Sequence, residues 1–165
     1  LYKGKNNFVA HECILDFRDL KSKTGLSVND LAKRLIDYSF HAPTISWPVP
    51  ETIMIEPTES ESLVELDRFC EAMLLIGEEI SEIEKNIELK NNNVISNAPH
   101  TLKELIADNW HYPYSKEKAS FPYKTPTSIK FWSSVSRINN AYGDRNLICS
   151  CNVNQGETFE EKKCA

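Results

Sequence analysis

Glycine is scarce, at five residues in 165. None of them forms a Gly-rich loop after a strand, and no G-x-S-x-G occurs, so the familiar signatures of a phosphate cradle and of a serine nucleophile are missing. No apolar run approaches the roughly 18 residues that would span a bilayer. Basic residues are outnumbered, 19 against 24 acidic, and a net charge of -5 has the wrong sign for attraction to phosphate backbones. Membrane and nucleic acid are therefore set aside as partners. The five cysteines, Cys13, Cys70, Cys149, Cys151 and Cys164, contain no C-x-x-C pair, which removes the usual zinc spacing, so no metal is assigned. Their odd number, with Cys13 and Cys70 inside apolar patterns, suggests buried thiols in a reducing compartment. No internal repeat is present. The chain opens on Leu1 without a targeting pattern and reads as a piece of something longer.

What is present describes a mixed α/β unit. A chain of this length can bury roughly two thirds of its unfolded surface, and 41% hydrophobic residues supply a core. Residues 8 to 17, "FVAHECILDF", alternate so that Val9, His11, Cys13, Leu15 and Phe17 share one face, as in a half-buried strand. In "GLSVNDLAKRLIDYSF" the period changes. Ser27 with Asp30 reads as an N-terminal cap, and Val28, Leu31, Ala32, Leu35 and Ile36 recur at helical spacing. "TISW" and "TIMIE", split by "PVPE", predict a tight pair of strands. A long helix is expected from Thr58, with Leu66, Phe69, Cys70, Met73, Ile76, Ile80, Ile83 and Ile87 as its apolar face and glutamates opposite. The resulting fold class is α/β (α+β), a two-layer sheet with helices over residues 1–90. An irregular helical extension follows over 91–151, with short helices at Thr101–Glu104, at Ser115 and in "SSVSRINNAYGD" up to Gly143, and then a polar tail at 152–165.

The residue chemistry is sparse. "TESE" fits a capping box between Thr58 and Glu61 better than acid–base work by Glu56 and Glu59, which lack a paired partner. His41 lies in a corner between helix and strand, and residue types alone leave it open between a hydrogen-bonded structural role and a functional one. Cys149 and Cys151 are candidates for redox chemistry near the chain end or for plain structural thiols. The aromatics between Trp110 and Trp132 interleave with lysines, but the net charge of -5 favours packing onto a larger body over base stacking.

The order of residues says more. "AKRLIDYSFHAPTISWPVPETIMIEPTESESLVELDRFCEAM", followed in order by "APH", "PYSKEKASFP", "KFW" and "SRINNAYGDRNLICSC", resembles the C-terminal part of the glycine decarboxylase family, the P-proteins of the glycine cleavage system, over residues 6 to 151. Ser39 stands where that family usually has glycine, Tyr112 and Lys116 where it has arginine, and Ser133 where it has proline. The resemblance implies the small C-terminal domain of a fold-type-I pyridoxal-phosphate enzyme, with the cofactor bound mainly by upstream sequence that also carries the Schiff-base lysine. It implies that His41 and Thr44 face a substrate or cofactor cleft, and that no catalytic residue lies in this piece, which is inactive by itself. Partners implied are the upstream cofactor domain, the lipoyl carrier protein that receives the aminomethyl group, and a second subunit in a homodimer. The implied location is the mitochondrial matrix in a eukaryote and the cytoplasm in a bacterium. The competing reading is a non-catalytic protein-interaction module with an acidic helix face.

Overall fold

A computed structural model describes residues 2–86, 89–123 and 130–148. Three short strands, β1 (Cys13–Asp16), β2 (Thr44–Ile45) and β3 (Thr52–Ile55), form one antiparallel sheet in the order β1-β3-β2. Directly opposed residues share a face, so the register Cys13↔Ile55, Leu15↔Ile53 and Ile45↔Ile53 sets these side chains on one side of the sheet. Ile53 of that side is wholly buried in the core, and Ile45, Ile55 and Phe17 pack against it. The alternation read from the sequence thus has the right phase for Cys13, Leu15 and Phe17. It overreaches at its start, because Val9 and His11 lie outside the strand and are exposed. The cause lies in the partner strand. Pro57, two residues beyond Ile55, has no N–H to extend the ladder, so residues before Cys13 have nothing to pair with. Ile14 and Met54, opposed on the other side, are also nearly buried.

Two helices pack against the sheet. α2 (Val28–Asp37) is capped as expected: the Ser27 amide donates to Asp30 Oδ2 at 2.8 Å, and Val28, Leu31, Ala32 and Leu35 are buried. Before it comes a five-residue helix, α1 (Leu20–Thr24), which the apolar pattern had not revealed. Gly25 ends it at φ 81°, donating its amide to Lys21 O at 2.9 Å, a left-handed cap that suits glycine.

The long helix α3 (Leu63–Lys85) starts later than expected. "TESESLVE" holds two consecutive Ser/Thr-x-x-Glu patterns, and the second is used: Ser62 Oγ accepts from the Glu65 amide at 3.2 Å. Thr58 instead closes a turn, its carbonyl accepting from the Glu61 amide at 3.2 Å, so it does not cap the helix. The buried stripe is Ala72, Ile76, Glu79 and Ile83, flanked by the half-buried Phe69, Met73 and Ile80. Cys70 and Leu66 are exposed, contrary to their assignment to the apolar face, because the stripe is centred about one residue away from them. Ile87 lies outside the described residues.

The extension joins the same core. Val94 and Ile95 belong to the core cluster, in a turn that Asn93 closes by accepting from the amides of Ile95 (3.0 Å) and Ser96 (2.8 Å). α4 (Leu102–Ile106) is capped by Thr101 and Glu104, and α5 (Lys116–Ser120) by Ser115. α6 spans only Asn140–Arg145, with Asn139 as its cap. Gly143 lies inside this helix rather than at its end, and the helix starts late because the Asn139 side chain, not the Ser133–Ser136 run, supplies the first acceptor.

Candidate functional site

His41 and Thr44 both border one surface cleft. The loop after α2, the end of β3 and the first turns of α3 enclose an open cleft of about 570 Å³ that both residues line. Its floor is apolar, built on Phe40 and Phe69, whose rings meet edge to face at 5.1 Å, with Ile55 and Leu66 beside them. Glu56, Glu61 and Glu65 stand at its rim. Glu65 is neutralised by Arg68, which also donates to Tyr38 O at 2.9 Å and lies 3.8 Å over the Phe40 ring. Glu56 and Glu61 have no lysine or arginine partner among the described residues. His41 is exposed and makes no hydrogen bond among the described residues, so a hydrogen-bonded structural role finds no partner there.

Ser39, at the mouth of this cleft, has φ 64°, in the left-handed region. A side chain is strained there where glycine is not, which explains the glycine of the pattern it resembles. The Ser39 hydroxyl offsets part of that strain by accepting from the Phe131 amide at 3.0 Å.

Behind the cleft lies a buried polar network that residue patterns did not reveal. Arg34 is fully buried, and all five of its N–H groups are used. They go to both Glu79 oxygens (3.0 and 2.6 Å), to Asp37 Oδ2 (2.9 Å), and to the carbonyls of Ala119 (2.8 Å) and Lys118 (2.9 Å). Burial opposes the charge on Arg34, but Glu79 and Asp37 outweigh it and raise its pKa further. Asp37 also accepts from the His100 amide at 2.7 Å and meets the His100 ring at 2.8 Å, while the other ring nitrogen meets Tyr114 Oη at 2.9 Å. Tyr112 stacks on Tyr114 at 5.3 Å and donates to Glu104 Oε1 at 3.1 Å, so a carboxylate on its own chain occupies its hydroxyl. The Lys130 ammonium bonds the Asp37 carbonyl, and burial lowers its pKa to about 8. The network fastens the extension onto α2 and α3.

A signal for it existed. Glu79 falls in phase with Ala72, Ile76 and Ile83 at spacings of three and four, which marks a carboxylate inside an apolar stripe.

Cys149 and Cys151 lie outside the described residues. Among those described, Cys13 is half-buried and Cys70 exposed, so Cys70 does not occupy the buried setting expected of it. One group, His11, Glu12 and Glu56, brings three possible metal-ligand atoms within 4.8 Å of one another, all on accessible side chains. No helix among the described residues is long and apolar enough to cross a membrane.

Comparison with known proteins bears on what this arrangement belongs to. A family model described as "Glycine dehydrogenase, C-terminal domain" matches residues 1–100. The chain belongs to that family. It is 61% identical over 151 residues, 92% of its length, to "Glycine dehydrogenase (decarboxylating)" of Prochlorococcus marinus strain NATL1A, and covers 16% of that protein. It is 57% identical over 153 residues to the protein of the same description from Thermosynechococcus vestitus, again covering 16%. To "Glycine dehydrogenase (decarboxylating), mitochondrial" of Dictyostelium discoideum it is 56% identical over 151 residues, covering 15%. The chain therefore spans about one sixth of the length of these relatives. Within this C-terminal family domain, pyridoxal phosphate does not fit the cleft by charge. No lysine or arginine lines it among the described residues, whereas the carboxylate-bearing Glu56 and Glu61 do.

Proposed function

We propose that this chain is the small C-terminal domain of a pyridoxal-phosphate-dependent glycine decarboxylase. In this reading the complete protein removes the glycine carboxylate as carbon dioxide and passes the remaining aminomethyl group to the lipoyl arm of a carrier protein. Cofactor, phosphate site and Schiff-base lysine belong to upstream sequence, consistent with a cleft lined by carboxylates and, among the described residues, by no lysine or arginine. The chain supplies one wall of the cleft. His41 presents an exposed imidazole with no competing hydrogen bond among the described residues, and Thr44 lines the same cleft. Arg34, Asp37, Glu79 and His100 hold the extension against the helices that form that wall. Residues 1–90 and 91–151 act in this reading as small domain and extension, and the polar tail at 152–165 follows. The complete protein is a homodimer in the matrix or the cytoplasm according to its source.

The observation that carries this reading is the 61% identity maintained across 92% of the chain. The test separates the piece from the whole. Purified 165-residue chain mixed with pyridoxal phosphate should give no new visible absorbance band and release no labelled carbon dioxide from glycine. The same chain joined to the upstream part of its gene should do both. Activity in the isolated chain, or none in the joined protein, would falsify the reading.

A further inference from the structure

We infer that Lys130 and Phe131 of the extension are positioning residues for His41, acting on the turn that ends α2 rather than on the imidazole itself. The inference rests on the reading of His41 as facing the reactants and adds what sets its place.

His41 makes no hydrogen bond of its own among the described residues, so the backbone leading to it decides where its ring stands. That backbone leaves α2 through a Schellman turn. The Ser39 amide donates to Ile36 O at 2.9 Å and the Phe40 amide to Leu35 O at 3.0 Å, with Ser39 as the left-handed residue. The carbonyls of Asp37 and Tyr38 are taken by side chains remote in sequence. Lys130 donates its ammonium to Asp37 O, and Arg68 donates to Tyr38 O at 2.9 Å. A cation at this end of α2 also suits the negative end of the helix dipole, and the Trp132 ring, 5.1 Å from the Lys130 ammonium, steadies it there. The next residue of the extension reaches the same turn, where the Phe131 amide donates to Ser39 Oγ at 3.0 Å.

Two consecutive extension residues thus hold the turn at 37 and 39. α3 holds it through Arg68 and through the contact of Phe69 with Phe40, and His41 follows Phe40 directly. Fastening the extension does not require Lys130 or Phe131, because the His100 amide is bound to Asp37, and the carbonyls of Lys118 and Ala119 to Arg34, independently of them. Their contacts act on the turn.

The test reads the His41 ring directly. The 165-residue chain has four histidines, and the labelled Cε1–H NMR signal of His41 is assigned by its loss in His41→Ala. Lys130→Met removes the ammonium, Lys130→Arg keeps a donor, and Ser39→Gly removes the acceptor of the Phe131 amide at a position where glycine is unstrained. Lys130→Met should shift the His41 ring signal and speed hydrogen exchange at the Ser39 and Phe40 amides at least about threefold, while amides at 100–106 and 116–120 keep their shifts. Ser39→Gly should move the same ring signal, and Lys130→Arg should bring it back toward its wild-type position. In the complete protein, Lys130→Met should lower kcat for carbon dioxide release about tenfold with KM within about twofold. The inference is overturned if the His41 signal stays in place in both Lys130→Met and Ser39→Gly. It is overturned as well if amides at 100–106 and 116–120 move as far as those at 37–44, the mark of mere fastening. Normal turnover in Lys130→Met beside impaired turnover in His41→Ala also overturns it, whereas normal turnover in both overturns the reading of His41 as facing the reactants.

Discussion

Replacing Arg34 with alanine tests the join between domain and extension most severely. The substitution removes five hydrogen bonds and leaves Glu79 and Asp37 buried without their cation. Breaking a buried ion pair from one side typically costs about 3–5 kcal/mol, because the remaining charge stays desolvated. His100 still donates its amide to Asp37, which offsets part of the loss there, whereas Glu79 keeps, among the described residues, only the long contact of 3.5 Å from Tyr38 Oη. The lower part of that range, about 3–4 kcal/mol, is therefore expected. At about 2–4 °C per kcal/mol for a domain of this size, Tm should fall by roughly 6–16 °C. Urea unfolding followed by circular dichroism reads the free energy. Limited proteolysis reads the second consequence, faster cleavage at 116–123, since Arg34 also holds the carbonyls of Lys118 and Ala119. Arg34→Met/Glu79→Leu removes both charges together and should recover more than half of the loss. A change below 1 kcal/mol in Arg34→Ala, or a double variant as unstable as the sum of its singles, would refute the argument.

Two further outcomes follow from local chemistry. Ser62→Ala should cost about 1 kcal/mol in urea unfolding by removing the α3 cap, and Thr58→Ala less than about 0.5 kcal/mol; the reverse order would restore the earlier helix start. Burial lowers the Lys130 pKa from 10.5 to about 8, so between these values the unfolded chain holds a proton that the folded chain has released, and stability should rise with pH. Burial also raises the phenol pKa values of Tyr38 and Tyr114. Above about pH 10 the folded chain therefore holds the extra protons, and stability should fall. Urea midpoints from pH 7 to 11 should trace that rise and fall, and Lys130→Met should flatten the rise alone; a wild-type curve without a rise between pH 8 and 10 contradicts the burial of Lys130.

Where structure depends on neighbours in the chain, the residues announce it. Ser27 with Asp30, Thr101 with Glu104 and Ser115 each cap the helix they precede, since a cap needs only three residues in sequence. The strand pair around "PVPE" is legible for the same reason. Ambiguity begins where two local patterns compete, as with Thr58 and Ser62. It deepens where partners are remote: Asp37 and His100 are 63 residues apart, and Arg34 reaches carbonyls 84 and 85 residues away. No spacing rule connects them. Of the candidate site, His41 and Thr44 were expected through ordered resemblance to a family, whereas the presence of Glu56 and Glu61 along the same cleft depends on the fold.

In the proposed reading, this domain presents His41 to the reacting groups of a glycine decarboxylase. The most direct measurement is labelled carbon dioxide release from glycine by the complete protein carrying His41→Ala, with Tm recorded on the same preparation. Because His41 is exposed and unbonded among the described residues, Tm should stay within about 2 °C, a surface substitution costing typically under 0.5 kcal/mol. Turnover should fall on the order of a hundredfold if the imidazole moves a proton. Turnover per folded molecule that remains near normal would contradict the account and return His41 to the role of a surface residue at a corner of the fold.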